Sequence, residues 1–133
     1  METEHSRTRM RGVTLPRIGP LVFVLLTLTL TVKAAPALKK LSALQIRQTL
    51  SGKVITDGTH WTYYLKSNGA IDAFEMKRAR KGHWHLDDNR LCIAINAGAA
   101  PDRCFDVMWE GKNLVFGIDG QVIYDVKVKL PEK

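Results

Sequence analysis

Residues 90–109 read RLCIAINAGAAPDRCFDVMW: two apolar stretches, each with one cysteine, separated by a short connection rich in Ala, Gly and Pro. Setting Cys92 opposite Cys104 in an antiparallel pair puts Leu91 opposite Phe105 and Ile93 opposite Arg103. One face then gathers Leu91, Ile93, Ile95, Phe105, Val107 and Trp109, and the other carries Cys92, Ala94, Cys104, Asp106 and Met108. A slip of one residue would turn the whole apolar set outward, so the register that permits a disulfide is also the one that builds a core. A non-hydrogen-bonded antiparallel pair holds its Cα atoms about 4.5 Å apart, within reach of a disulfide. Cys92 and Cys104 are therefore expected to be bonded, stapling the less buried face. Their spacing suits neither a redox CxxC nor a four-cysteine zinc site.

The same two-residue period extends in both directions. Trp61, Tyr63 and Leu65 alternate toward one face, and the turn signal Ser67-Asn68-Gly69 leads into residues 70–76. Trp84 and Leu86 alternate with His83 and His85, and Asp87-Asp88-Asn89 turns into the first cysteine strand. Glu110-Gly111-Lys112 and Asp119-Gly120 mark two further hairpins. Val122, Tyr124, Val126, Val128 and Leu130 form a final alternating run, stopped by Pro131. The basic run 77–82 reads as a loop. Before these strands, Ser42 and Gln45 form a capping box, with Leu41 and Ile46 placed as a hydrophobic staple; a short helix is expected, ended by Ser51-Gly52. About eight short strands between turns predict an all-β fold, a small antiparallel barrel or a sandwich, preceded by one short helix. With about a hundred residues, its interior is expected to be filled by side chains.

The N-terminus has a different composition. Residues 1–20 are polar and basic, residues 21–32 are the uncharged apolar run LVFVLLTLTLTV, and Lys33-Ala34-Ala35-Pro36-Ala37 follows. That order is the one found in a secretory signal peptide, with cuts acceptable after Ala34 or Ala37. Twelve apolar residues fall short of the roughly 20 needed to span a bilayer, which disfavours a retained anchor. Met10 would begin a better-proportioned signal than Met1. The expected organisation is a signal peptide over residues 1–34, a flexible lead over 35–40 and one β domain over 41–133, in the periplasm or secreted. The chain carries 20 basic and 13 acidic residues, a net charge of +7. Five of the basic and two of the acidic residues precede Ala35, so the remainder is at +4. Such a mild excess favours anionic envelope surfaces and falls short of a nucleic-acid-binding stripe.

Leu50-x-Gly52, Trp61, Gly69, Gly82-x-Trp84, Leu91-Cys92, Cys104-Phe105, Gly111 and Gly120, in that order, resemble the pattern of small exported proteobacterial proteins of the DUF995-like group. The likeness covers about residues 41–128. It implies a signal peptide and an all-β fold, and it brings no activity and no catalytic residues.

No nucleophile elbow, zinc-protease helix motif, P-loop or dinucleotide fingerprint is present, and no enzyme activity or cofactor is expected. His83 and His85, two apart on a strand, share a face; with His60 and with Asp87 or Asp88 they are candidate ligands for zinc or copper. The competing reading is that Trp84 fills the core and both histidines face water. Lys77, Arg78, Arg80 and Lys81 are candidate anion-binding residues, against the plainer reading of a solvated loop. Trp61, Tyr63, Trp84, Phe105, Trp109, Phe116 and Tyr124 are core residues or the lining of a ligand cavity. The function expected is an exported, non-enzymatic module that binds an envelope or extracellular partner, for example as an inhibitor of a periplasmic hydrolase; the alternative is a metal-binding or metal-dependent protein that uses the exposed histidines.

Overall fold

The computed structural model describes residues 12–17, 19, 30–96 and 101–133. Two units are distinguished, Met1–Lys33 and Ala34–Lys133, and every helix and strand described lies in the second. The apolar run of the expected signal lies largely outside the described residues. Residues 30–37 are exposed and without regular structure, so the positions after Ala34 and after Ala37 both lie in exposed chain.

Strand β1 (Leu38–Lys40) and helix α1 (Ala43–Leu50) precede eight strands: β2 (Lys53–Thr56), β3 (Trp61–Leu65), β4 (Ala70–Glu75), β5 (Arg78–Asp87), β6 (Arg90–Ile95), β7 (Arg103–Glu110), β8 (Asn113–Ile118) and β9 (Gln121–Lys129). Strands β2 to β9 pair each with the next, all antiparallel, and β9 pairs back onto β2 through Ile55 and Val128. The ring is closed, so the fold is an eight-stranded up-and-down barrel, not a sandwich. Closure removes the sheet edges that would otherwise invite aggregation. The expected cysteine register is observed residue for residue: Leu91 faces Phe105, Cys92 faces Cys104 and Ile93 faces Arg103. The Cys92–Cys104 disulfide is formed, with its Cα atoms 3.9 Å apart.

Four sequence expectations need correction. The run 77–82 is not a loop: Met76 and Lys77 make a two-residue turn with φ of 48° and 67°, and β5 begins at Arg78. Such turns normally advertise themselves by Asn or Gly, and neither is present here. Residues 38–40 are not a flexible lead but pair with β7, Leu38 opposite Glu110 and Lys40 opposite Met108. β6 covers β7 only from Arg103 to Asp106, and β1 takes up the edge that remains. Cys92 is fully buried and Cys104 half-buried, so the disulfide does not lie on an open face. His85 stands opposite Cys92, and a carboxylate oxygen of Asp87 lies within 4.8 Å of both sulfurs. Finally, Val122 and Leu130 are exposed, because a bulge at Phe116/Gly117 shifts the register of β9 and because β9 ends at Lys129.

The interior is built in two unequal halves. At one end α1 acts as a plug. Ser42 and Gln45 form the capping box, Ala43 N–H donates to Asn89 Oδ1 at 2.8 Å, and Ile46 and Leu50 are fully buried. They pack with Leu41, Leu65, Ile71, Trp84 and Leu91, each fully buried Leu or Ile contributing about 1.5–3 kcal/mol. Both N–H groups of Trp84 are satisfied by the β3–β4 turn, the ring donating to Lys66 O and the backbone to Gly69 O, each at 2.8 Å. Among the described residues no helix lies at the other end.

Candidate binding site at the open end of the barrel

At the end away from α1, interior positions that would be aliphatic in a filled barrel are aromatic or charged. Strand alternation carries Trp61 and Tyr63 of β3, Glu75 of β4, Arg103 and Phe105 of β7, and Phe116 and Tyr124 of β8 and β9 to the inner face. With Ile93, Ile95 and Pro101 they enclose a cavity of about 280 Å³ that opens at the barrel mouth. At about 30 Å³ per water molecule, that is room for about nine waters or a small ligand. The interior is therefore not filled by side chains, contrary to the expectation from chain length. Eight strands leave a bore that either packs solid or holds one small ligand, and both occur here, at opposite ends.

The aromatic walls pack on one another. Trp61 stacks on Tyr63 at 4.8 Å between ring centroids, and Tyr124 meets Trp61 edge-on at 5.7 Å. Phe105 stacks on Phe116 at 5.6 Å and meets Tyr124 edge-on at 6.0 Å. The Tyr63 hydroxyl donates to Glu75 Oε1. Burial, then that hydrogen bond to a carboxylate, pushes the Tyr63 hydroxyl far above the ordinary tyrosine value, so it remains a donor at any physiological pH. The other carboxylate oxygen of Glu75 lies 3.6 Å from Arg80 Nε, too long for a hydrogen bond, and that Nε is buried without another partner. Arg103 holds its guanidinium 5.5 Å from the Phe105 ring centroid, and among the described residues no carboxylate lies within 4.0 Å of it. Of the charged residues that line the cavity, Glu75 is engaged by Tyr63 and Arg80, and Arg103 is left without a carboxylate partner among the described residues.

The four basic residues named from sequence do not form one cluster. Alternation along β5 places Arg78 and Arg80 in phase with the inner face and Lys81 on the outer one, while Lys77 occupies the turn. Lys81 and Lys66 both bind Asp72 on the outside, and their hydrogen bonds hold the Asp72 carboxyl below its ordinary range.

The three histidines also separate. His60 precedes β3 and its Nδ1 lies 2.8 Å from Asp57 Oδ2. Trp61 is in register with Glu75 and Arg78, whereas His83 is in register with Ala70, which puts His60 and His83 roughly 20 Å apart along the strands. Asp57 Oδ1 accepts backbone N–H bonds from Thr59, His60 and Trp61. Burial opposes ionisation of Asp57, but those N–H groups and His60 outweigh it and hold its carboxyl far below the usual range. His83 and His85 do share the outer face, and their neighbour there is Asp102, which was not among the residues named from sequence.

The charged cavity residues missed from sequence are Glu75 and Arg103. Each sits in phase with an apolar inner face, Glu75 with Ile71 and Ala73, and Arg103 with Phe105 and Val107; a charge at such a position is the signal. No family model, no curated protein and no solved structure matches this chain.

Proposed function

We propose that this protein is a non-enzymatic binding module, exported to an oxidising compartment, that receives its ligand in the open end of the barrel. The observation that carries the reading is the cavity itself: aromatic walls around the Arg103 guanidinium, which has no carboxylate partner among the described residues. Such a site favours a group with a flat apolar body and an anionic head, because the rings take up the body and Arg103 the charge. The group is either a free molecule or one displayed by a partner. Phe74 and Met76, both more than half exposed, line a second depression with Trp61 beside the mouth and offer apolar surface to the rest of a partner. The disulfide supports the export part of the reading, since such bonds persist outside reducing cytosol.

Titration of the intrinsic tryptophan fluorescence, to which Trp61 in the mouth contributes, with benzoate and 2-naphthoate tests this. Saturable binding of the acids, weaker binding of the matching neutral alcohols, and a loss of about tenfold or more in Arg103→Gln support the reading. Equal affinity for acid and alcohol, or no saturation by either, overturns it.

A further inference from the structure

We propose that His83, His85 and Asp102 form a surface site for a divalent late first-row cation, zinc or copper. The site does not depend on what the barrel mouth binds.

The geometry follows from the sheet. His83 and His85 are alternate residues of β5, so both imidazoles leave the barrel on its outer face, with ring centroids 6.5 Å apart. The ladder puts Ala94 of β6 beside His83, and Asp102, one position before Arg103, lies beyond Ala94. Alanine is small enough for the imidazole and the carboxylate to meet over it. Asp102 Oδ2 lies 3.8 Å from His83 Nε2 and 3.5 Å from His85 Nδ1. One donor atom from each of the three residues lies within 4.8 Å of the other two. Metal bonds of about 2.0–2.1 Å in a tetrahedral site set donor atoms about 3.3–3.4 Å apart. Both His–Asp separations are therefore within half an ångström of what a metal requires. The three side chains are 48, 50 and 36% exposed, so a cation can enter and keep water in its remaining positions. Two imidazoles and one carboxylate suit zinc or copper better than magnesium or calcium, which take all-oxygen sets.

Two features hold the third ligand in place. The Cys92–Cys104 disulfide ties β6 to β7 two residues from Asp102. Pro101 and Arg103, on either side of it, line the cavity, so alternation turns Asp102 outward. A bound metal would thus fasten one wall of the mouth from outside.

The test is calorimetric titration of the untagged protein, recovered after expression of the whole gene, with zinc chloride and with a copper(II) salt. One site per chain with a dissociation constant of about 10 μM or tighter is expected. His83→Gln and His85→Gln should each abolish it, and Asp102→Asn should weaken it about tenfold or more. His60→Gln should leave it unchanged. Visible absorption of added Co2+ gives a second readout, with bands present in the parent and absent in His83→Gln. Absence of saturable one-to-one binding below about 100 μM overturns the proposal, as does an Asp102→Asn variant that binds like the parent. So does a His60→Gln variant that loses binding.

Discussion

Replacing Gly82 with alanine should destabilise the barrel more than any other single methyl addition at its glycines. Gly82 is an inner-face residue of β5, opposite Ile71 on one side and Ile95 on the other. A Cβ there would lie 2.2 Å from the Ala94 carbonyl oxygen and 2.8 Å from Ile95 Cδ1. Ordinary contact begins near 3.4 Å, so β5 and β6 must part by about an ångström. Ile95 can turn its side chain away, but the Ala94 carbonyl is backbone and cannot. Overpacking costs about 1–3 kcal/mol when side chains can adjust, and the upper end applies when the backbone must move. For a domain of about a hundred residues each kcal/mol shifts the midpoint by about 4–8 °C, so a fall of about 12–24 °C is expected. Gly52→Ala is the control. Nothing lies within 4 Å of Gly52, but its φ is +73°, so only conformational strain of about 1 kcal/mol is added. Thermal unfolding of both variants, followed by circular dichroism, measures the difference. A Gly82→Ala midpoint no lower than that of Gly52→Ala would refute the packing of β5 against β6, and with it the placing of His83 and Arg80 on opposite faces.

Trp84→Ala should cost about 3–5 kcal/mol in denaturant titration, since it empties the closed half of the bore and strands Lys66 O and its neighbours above a void. The Cys92→Ser/Cys104→Ser double variant should lose about 2–3 kcal/mol, the loop-closure contribution of a bond spanning 12 positions, and unaltered denaturation of this variant would refute that. Asp57 has a depressed folded-state pKa, so its contribution is complete above the unfolded value and is lost as pH falls below about 4. Melting temperature against pH should therefore decline in that acid window, and less steeply in Asp57→Asn, where the group no longer titrates. Ser42→Ala, which removes the helix cap under the plug, should cost about 1 kcal/mol in the same denaturant assay.

Most of the alternating strands are legible in the sequence; the exception is β9, whose alternation a bulge breaks, leaving Val122 exposed. The cystine hairpin came out in register because a wrong register there would bury Asp106 and expose Phe105, an error that a sequence pattern reveals. The capping box is equally local, since Ser42 and Gln45 define it within four residues. What escaped was non-local or chemically silent. The pairing of β1 with β7 depends on where β6 stops, and no local signal in Leu38-Lys39-Lys40 announces it. The turn at Met76-Lys77 lacks the residues that normally mark one, so a hairpin read as a charged loop. Asp102 joined the histidines only through the small side chain of Ala94 on an intervening strand. The cavity could not be foreseen from chain length, because whether an eight-stranded bore fills depends on how far a helix enters from one end.

The pairing of β2 with β9 has a consequence for the order in which the molecule can assemble. The strand that begins the ring finds one of its two neighbours only when the last strand has been delivered, and β1 likewise waits for the far half of β7. Hairpins can form early, but the bore cannot seal around Ile55 and Leu65 until residues near Val128 are available, and non-local closure of this kind is slow. A chain with that connectivity stays an open, threadable meander for as long as its C-terminus is withheld. On the export reading proposed above, that delay would keep the polypeptide competent for passage through a membrane pore and leave final closure, with formation of the disulfide, to the far side.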